Sequence, residues 1–190
     1  MSDREGLKQL LRDYVPADER ERADREAMLA FLECSPDPLT RENTLFHFTA
    51  SAWAVNPRRD RALMVFHHIY RAWSWVGGHA DGDADLAAVA RRELTEETGV
   101  KAPRPLGEGP LSLELLAVQP HEKNGVYVPA HLHLNVTFLF CCDETEPLRV
   151  KPDENSGVAW REMDEILADR TEPHMNEIYR KLARRAAYFR

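Results

Sequence analysis

Gly77-Gly78-His79-Ala80-Asp81-Gly82-Asp83-Ala84-Asp85-Leu86-Ala87-Ala88-Val89-Ala90-Arg91-Arg92-Glu93-Leu94-Thr95-Glu96-Glu97-Thr98-Gly99-Val100 is the stretch on which the reading of this chain turns. Asp83 or Asp85 can cap a helix, alanines fill its middle, and Gly99 offers a left-handed stop. The spacing therefore predicts a helix from about 85 to 98. At about 100° per residue, Leu86, Val89, Ala90 and Leu94 form one stripe that turns toward the body of the protein. Glu93 and Glu97 fall inside that stripe, and Glu96 lies at its edge beside Arg92.

An inward face that begins apolar and ends in three carboxylates carries two physical costs. Inward-facing carboxylates are unfavourable by several kcal/mol unless they are paired. They also sit at a helix C-terminus, where the macrodipole disfavours negative charge by about 0.3–1 kcal/mol each. One guanidinium, Arg92, cannot offset three acids. A hard divalent cation can, and oxygen ligands suit Mg²⁺ or Mn²⁺ better than Zn²⁺. Taken by itself, the helix also admits a plainer reading, a solvated acidic end.

The segment resembles the Nudix box, G-x5-E-x7-R-E-U-x-E-E-x-G-U, where U is a bulky aliphatic residue. Gly78, Arg92-Glu93-Leu94, Glu96-Glu97 and Gly99-Val100 match, so eight of nine specified positions agree in one register. The exception is Ala84, where the pattern has glutamate, with Asp83 and Asp85 on either side as possible substitutes. The resemblance spans residues 46–170 approximately. It implies an α+β fold, a Nudix-like α/β/α sandwich around a mixed β-sheet. It further implies water attack on a phosphorus of a nucleoside diphosphate-linked or related diphosphate, assisted by Mg²⁺ or Mn²⁺. Carried over position by position, Glu93, Glu96 and Glu97 would be metal ligands, with a backbone carbonyl at Gly77 or Gly78 as a further one. Arg92 would orient a ligand carboxylate. The general base stays open between Glu93 and Glu154, the latter in the loop Asp153-Glu154-Asn155-Ser156-Gly157.

Outward from the helix, strand texture begins near His47. Phe48 to Val55, a turn at Asn56-Pro57-Arg58-Arg59-Asp60, and Ala62 to Phe66 predict a hairpin whose second strand is buried on both faces. A loop with Trp73, Trp75, Gly77 and Gly78 follows. Further strands are expected at about 111–119, 130–142 and 158–160, and helices at 163–168 and 175–188. Residues 1 to about 44 read as an amphipathic helical extension: Leu7, Leu10, Leu11 and Tyr14 before Pro16, then a helix capped by Asp18 and ended at Ser35-Pro36-Asp37-Pro38. The division expected is 1–44 for the extension and 45–190 for the main domain.

The strand 130–142 alternates. Leu132, Leu134, Val136 and Phe138 take one face, and His131, His133, Asn135 and Thr137 take the other. That polar face reads either as a substrate-binding lining supplied by His131, His133 and Asn135 or as a solvent-facing strand. A zinc site on His131 and His133 with His121 is a third reading, without an evident fourth ligand. Tyr70, Trp73, Trp75 and Tyr127 could stack on a base or pack in the core. The basic tail, with Arg180, Lys181, Arg184, Arg185 and Arg190, reads as a solvated face or a contact for phosphate or another subunit, so a homodimer is admitted.

Composition narrows the function. The chain has 190 residues, 43% of them hydrophobic and 30% charged, so a core can form. With 25 Lys+Arg against 32 Asp+Glu the net charge is −7, a poor balance for binding nucleic acid by phosphate neutralisation. The apolar runs are too short to cross a bilayer, and Met1 to Glu5 opens into charge, unlike a secretory signal. Three cysteines, Cys34, Cys141 and Cys142, make no disulfide framework, so the cytoplasm is the expected compartment. Three functions follow: a pyrophosphate hydrolase acting on a small nucleotide or diphosphate, a non-catalytic nucleotide sensor of the same fold, and isopentenyl diphosphate isomerase. The isomerase reading needs a cysteine-bearing active-site loop, which neither Cys141 nor Cys142 supplies.

Overall fold

The structure is a computed structural model that describes residues 3–34, 37–68, 71–123, 125–169 and 173–189. Its elements run α1 (Asp3–Asp13), α2 (Glu19–Cys34), β1 (Phe46–Val55), β2 (Arg61–His67), β3 (Ala72–Ser74), β4 (Val76–His79), α3 (Leu86–Thr98), β5 (Arg104–Pro105), β6 (Ser112–Val118), β7 (His121–Lys123), β8 (Val126–Val128), β9 (His131–Cys141), β10 (Asn155–Glu162), α4 (Met163–Ala168) and α5 (Pro173–Tyr188).

Most strands join one mixed sheet in the order β10-β2-β1-β9-β5, with β3 on β2, β4 on β1 and β6 on β9. The centre is a parallel pair, β1 with β9, in continuous register from Phe46 opposite Leu132 to Val55 opposite Cys141. The other ladders of this sheet are antiparallel. β7 and β8 form a separate small hairpin. As the sequence implies, the architecture is α+β, with helices on both faces of the sheet.

Strand alternation divides the core. Phe48, Ala50, Ala52 and Ala54 of β1, with Leu134, Val136 and Phe138 of β9, pack with Leu86, Val89, Ala90 and Leu94 of α3. Trp53, Val55 and Leu139 on the other face pack with Ile166 of α4 and Ile178, Tyr179, Leu182 and Ala186 of α5. Full burial of each Leu or Val on α3 contributes about 1.5–3 kcal/mol. That stripe is what presses α3 onto the sheet and so fixes where its acids point. α3 is capped by Asp85, whose side chain accepts from the Ala88 N–H, and stops at Gly99 with φ 80°.

The N-terminal helices share this core. Leu7, Leu11, Met28 and Leu32 are buried in the same cluster as α3, and Asp18 Oδ1 accepts from the Glu21 N–H at 2.9 Å. The Ser35-Pro36 break falls outside the described residues. The expected loop around Trp73 and Trp75 is instead two short strands, β3 and β4, and β5, β7 and β8 are further strands the pattern does not announce. Each is only two to four residues long, too short for alternation to register.

The tail of cations differs most from its expectation. Lys181 is 8% exposed and its Nζ donates to Glu21 Oε1 at 3.0 Å and lies 3.1 Å from Glu114 Oε1. Arg185 reaches Glu21 at 3.4 Å and stacks over the Tyr14 ring at 5.2 Å. Glu21 also accepts from the Tyr14 hydroxyl at 2.7 Å, Ser112 Oγ at 3.0 Å and the Leu113 N–H at 3.0 Å. Burial would raise the Glu21 pKa, but Lys181 and these donors outweigh it and hold the carboxyl below its ordinary value. Two of the tail cations thus tie α5 to α2 and β6. Arg190 lies outside the described residues.

Candidate active site and a histidine cluster

Glu93, Glu97 and Glu154 come together: one carboxylate oxygen from each lies within 4.8 Å of the others. Glu93 and Glu97 stand one turn apart on α3. Glu154 arrives from the turn before β10, and that turn is fastened to the end of α3. Asn155 is fully buried, and its Nδ2 donates to the Glu97 carbonyl at 3.2 Å while its Oδ1 accepts from the Lys151 N–H at 3.3 Å. Arg149 N–H adds a bond to the Thr98 carbonyl at 2.8 Å.

One glycine on β4 makes room for an acid, and its neighbour supplies a backbone donor. A β-carbon on Gly78 would stand 2.7 Å from Glu93 Cγ and 2.8 Å from Glu93 Oε1, so the carboxylate occupies the space a side chain would take. The Gly77 N–H bonds the Glu97 carboxylate. Glu97 is only 2% exposed, and its Oε1 is buried with no hydrogen-bond partner. Burial first, then the Glu154 and Glu93 charges, push its pKa up to about 8. Glu93 is raised by the same causes, burial ahead of Glu154.

The cations nearby are few. Lys151 Nζ lies 2.9 Å from Glu154 and 3.5 Å from Glu96. Arg92 lies 3.9 Å from Glu93 and 3.5 Å from Asp83. Of the two aspartates beside Ala84, Asp85 is spent on the helix cap and Asp83 faces Arg92. Glu96 is exposed and turned to Lys151, outside the trio. A buried carboxylate oxygen without a donor, two more carboxylates beside it and a cleared backbone fit a hard divalent cation with oxygen ligands.

The other expected site residues lie on the opposite face of the sheet. Asn135 is buried, and its amide is fully engaged: Oδ1 accepts from Thr49 Oγ1 at 3.1 Å and Ser51 Oγ at 2.8 Å, and Nδ2 donates to Glu114 Oε2 and Thr137 Oγ1, each at 3.0 Å. Four bonds exhaust a side-chain amide, so Asn135 is committed to the interior instead of a ligand. The polar face of β9 is neither solvent-facing nor open along its length.

His131 and His133 belong to a cluster the sequence did not announce. Their Nε2 atoms are 3.2 Å apart. His47 of β1 and His79 of β4 join them, with ring centroids 5.0 Å from His133 in each case. His121 is more remote, 6.5 Å from the His131 ring. Burial, followed by the neighbouring His79 and His47, pushes the His133 pKa down to about 2, and burial lowers that of His47. A readable signal existed: His47, Thr49 and Ser51 alternate on β1 as His133, Asn135 and Thr137 do on β9, and the two strands pair residue for residue.

Of the aromatic residues, Trp73 and Trp75 serve packing. Trp75 is buried against Tyr179, Trp73 meets Phe66 edge-on and carries Arg161 over its ring, and Tyr127 is exposed on β8. Tyr70 lies outside the described residues. Cys142 is buried, with its thiol pushed up to about 12 by burial. A cleft of about 500 Å³ between α2 and α5 is lined by Asp18, Arg20, Asp24, Glu114, Lys181 and Arg184 among others, and by none of the acids of α3. Among the described residues, no helix is long and apolar enough to cross a membrane.

A NUDIX domain model matches residues 45–182, and the chain belongs to the NUDIX family. Two crystal structures share the fold. A NUDIX-family hydrolase from Clostridium perfringens is 16% identical with a TM-score of 0.51, over 73% of this chain and 96% of that one. An Ap4A hydrolase from C. elegans, solved as a binary complex, is 16% identical with a TM-score of 0.51, over 75% of this chain and 98% of that one. No curated protein sequence matches the chain.

Proposed function

We propose that the protein hydrolyses the pyrophosphate linkage of a nucleoside diphosphate-linked or related small diphosphate, in a Mg²⁺- or Mn²⁺-dependent reaction. The observation that carries this is the convergence of Glu93, Glu97 and Glu154 around an unpartnered, buried carboxylate oxygen at the end of the box helix. A substrate that is itself polyanionic adds charge to a chain already at −7, so a bridging cation is required. A small molecule suits that balance better than a nucleic acid.

Glu93, Glu97 and Glu154 would hold the ion, with Glu96 and the Gly78 carbonyl as the further ligands that the family resemblance suggests. When bound, the divalent cation neutralises charge on the phosphate oxygens and lowers the pKa of a coordinated water. Arg92 holds Glu93 in orientation and leans on Asp83, which stands in for the missing glutamate at 84. Glu154 is the most exposed of the three acids and is assigned the role of taking the proton from the attacking water. Oxygen then adds to phosphorus, the anhydride P–O bond breaks, and the leaving phosphate or nucleotide departs with the bridging oxygen. Lys151, 2.9 Å from Glu154, offsets charge as the reaction proceeds.

The test is a screen of the full chain with Mg²⁺ or Mn²⁺ against nucleoside triphosphates, nucleotide sugars, ADP-ribose, dinucleoside polyphosphates and coenzyme A, in water enriched in ¹⁸O. The expected result is cleavage with label in a phosphate product, lost by at least about 1,000-fold (about 4 kcal/mol) in Glu97→Gln while circular dichroism is unchanged. Tight nucleotide binding without any product would establish the sensor reading instead. Near-normal turnover by Glu97→Gln at saturating Mg²⁺ would refute the assignment.

A further inference from the structure

We propose that His47, His79 and His133 form a second metal site, built for a borderline transition ion such as Zn²⁺ and separate from the acidic site. One ring nitrogen from each lies within 4.8 Å of the other two. They come from three neighbouring strands: His47 is in register with His133, and His79 is opposite Thr49, two residues along β1. Rigid strand backbones therefore fix the three rings, as a preorganised site requires.

A packed cluster of core histidines is the plainer explanation, and the hydrogen bonding argues against it. His47 Nδ1 lies 3.0 Å from the Asn43 carbonyl. A carbonyl only accepts, so Nδ1 carries the proton and Nε2 presents its lone pair inward. His47 is 4% exposed, and that Nε2 is buried without a hydrogen-bond partner. His131 Nδ1 likewise donates to the Pro129 carbonyl at 2.9 Å, so in the neutral ring its Nε2 can only accept. At 3.2 Å the donor between them is then the His133 Nε2–H, which leaves the His133 lone pair on Nδ1. Two of the three rings thus keep a free lone pair, and that of His47 is buried without a donor. A buried acceptor left without a donor costs about 1–3 kcal/mol, and a cation answers it directly.

Both outer contacts, His47 to a backbone carbonyl and His133 to a histidine that is itself held by a carbonyl, are those that fix tautomer and raise basicity in metal-bound imidazoles. Imidazole donors suit Zn²⁺, Fe²⁺, Co²⁺ and Ni²⁺ better than Mg²⁺, so the two groups would sort ions by hardness. Zn–N bonds of about 2.0–2.1 Å put ligand nitrogens about 3.4 Å apart in a tetrahedron, so the rings close slightly on the ion. Three protein ligands leave a coordination position for water or a ligand oxygen. Gly78 and His79 are successive on β4 and project to opposite faces, so the imidazole site backs onto the strand that makes room for Glu93.

The test loads the metal-stripped full chain with Zn²⁺ or Co²⁺ alone. X-ray absorption on the wild-type Zn²⁺ protein, which needs no variant, should show a nitrogen shell with imidazole scattering, at one ion per chain. Co²⁺ should give visible bands of a four- or five-coordinate site that persist in Glu97→Gln. His79→Gln, at a partly exposed position, should weaken Zn²⁺ by more than about 100-fold, beyond the 10–100-fold of outer-shell changes. His47→Gln is the second variant, accepted if its circular dichroism is native. An all-oxygen shell, Co²⁺ bands lost in Glu97→Gln, or unchanged Zn²⁺ affinity in His79→Gln would overturn the proposal. Because its readouts are ligation and affinity, it stands or falls separately from the hydrolase assignment.

Discussion

A β-carbon at residue 78 would meet Glu93, whereas one at residue 77 would meet Ser51 Oγ and stand 2.9 Å from the Ala50 carbonyl oxygen. These neighbouring glycines therefore answer to different constraints. The obstacle at 78 is the end of a flexible side chain, which swings away at little cost to the fold but leaves the acidic site. The obstacle at 77 includes backbone, which cannot. Gly78→Ala should leave the thermal midpoint within a few degrees while lowering the Mg²⁺-dependent rate by about 100-fold, the size of effect an ångström of misplacement produces. Gly77→Ala should lose about 1–3 kcal/mol of stability from overpacking, read by urea denaturation. Equal stability in both variants, with activity retained at Gly78→Ala, would contradict this division.

At the scale of elements, α3 was legible because everything that defines it is local. Its cap, its stripe, its glycine stop and the inward acids Glu93 and Glu97 all follow from spacing within two dozen residues. What was not legible is which distant groups join them. Glu154 enters the trio because bonds from Asn155 and Arg149 tie its segment to α3, and Glu96, matched in the motif, turns outward to Lys151. The same holds for α5, whose cations read as a solvated face until Glu21 and Lys181, distant in sequence, are found paired inside. Burying two carboxylates makes Lys181 costly to lose: Lys181→Met leaves Glu21 and Glu114 short of their buried partner. The expected loss is about 3–5 kcal/mol, measured by chemical denaturation, and a loss under about 1 kcal/mol would mean the pairing is as weak as a surface salt bridge.

For the molecule as a whole, one mixed sheet carries an acidic group on the α3 side and an imidazole group on the other, with β4 contributing to both. The family pattern made the sheet-and-helix architecture legible, and alternation marked the polar faces of β1 and β9, but which strands pair, and so which histidines meet, is set by no local signal. The acidic group has a linkage consequence. Glu97 rises from an ordinary 4.5 to about 8, so folding of the metal-free protein takes up a proton there. The stabilisation this brings is fully present below pH 4.5 and is lost as pH rises through about 8. A divalent cation settling among these carboxylates must displace that proton. Calorimetric titration of Mn²⁺ into the protein at pH 7, in two buffers of different ionisation enthalpy, measures this directly. Binding is expected with close to one proton released per ion, and neither the binding nor the release in Glu97→Gln. No binding, or binding that releases no proton and is indifferent to Glu97, would contradict it.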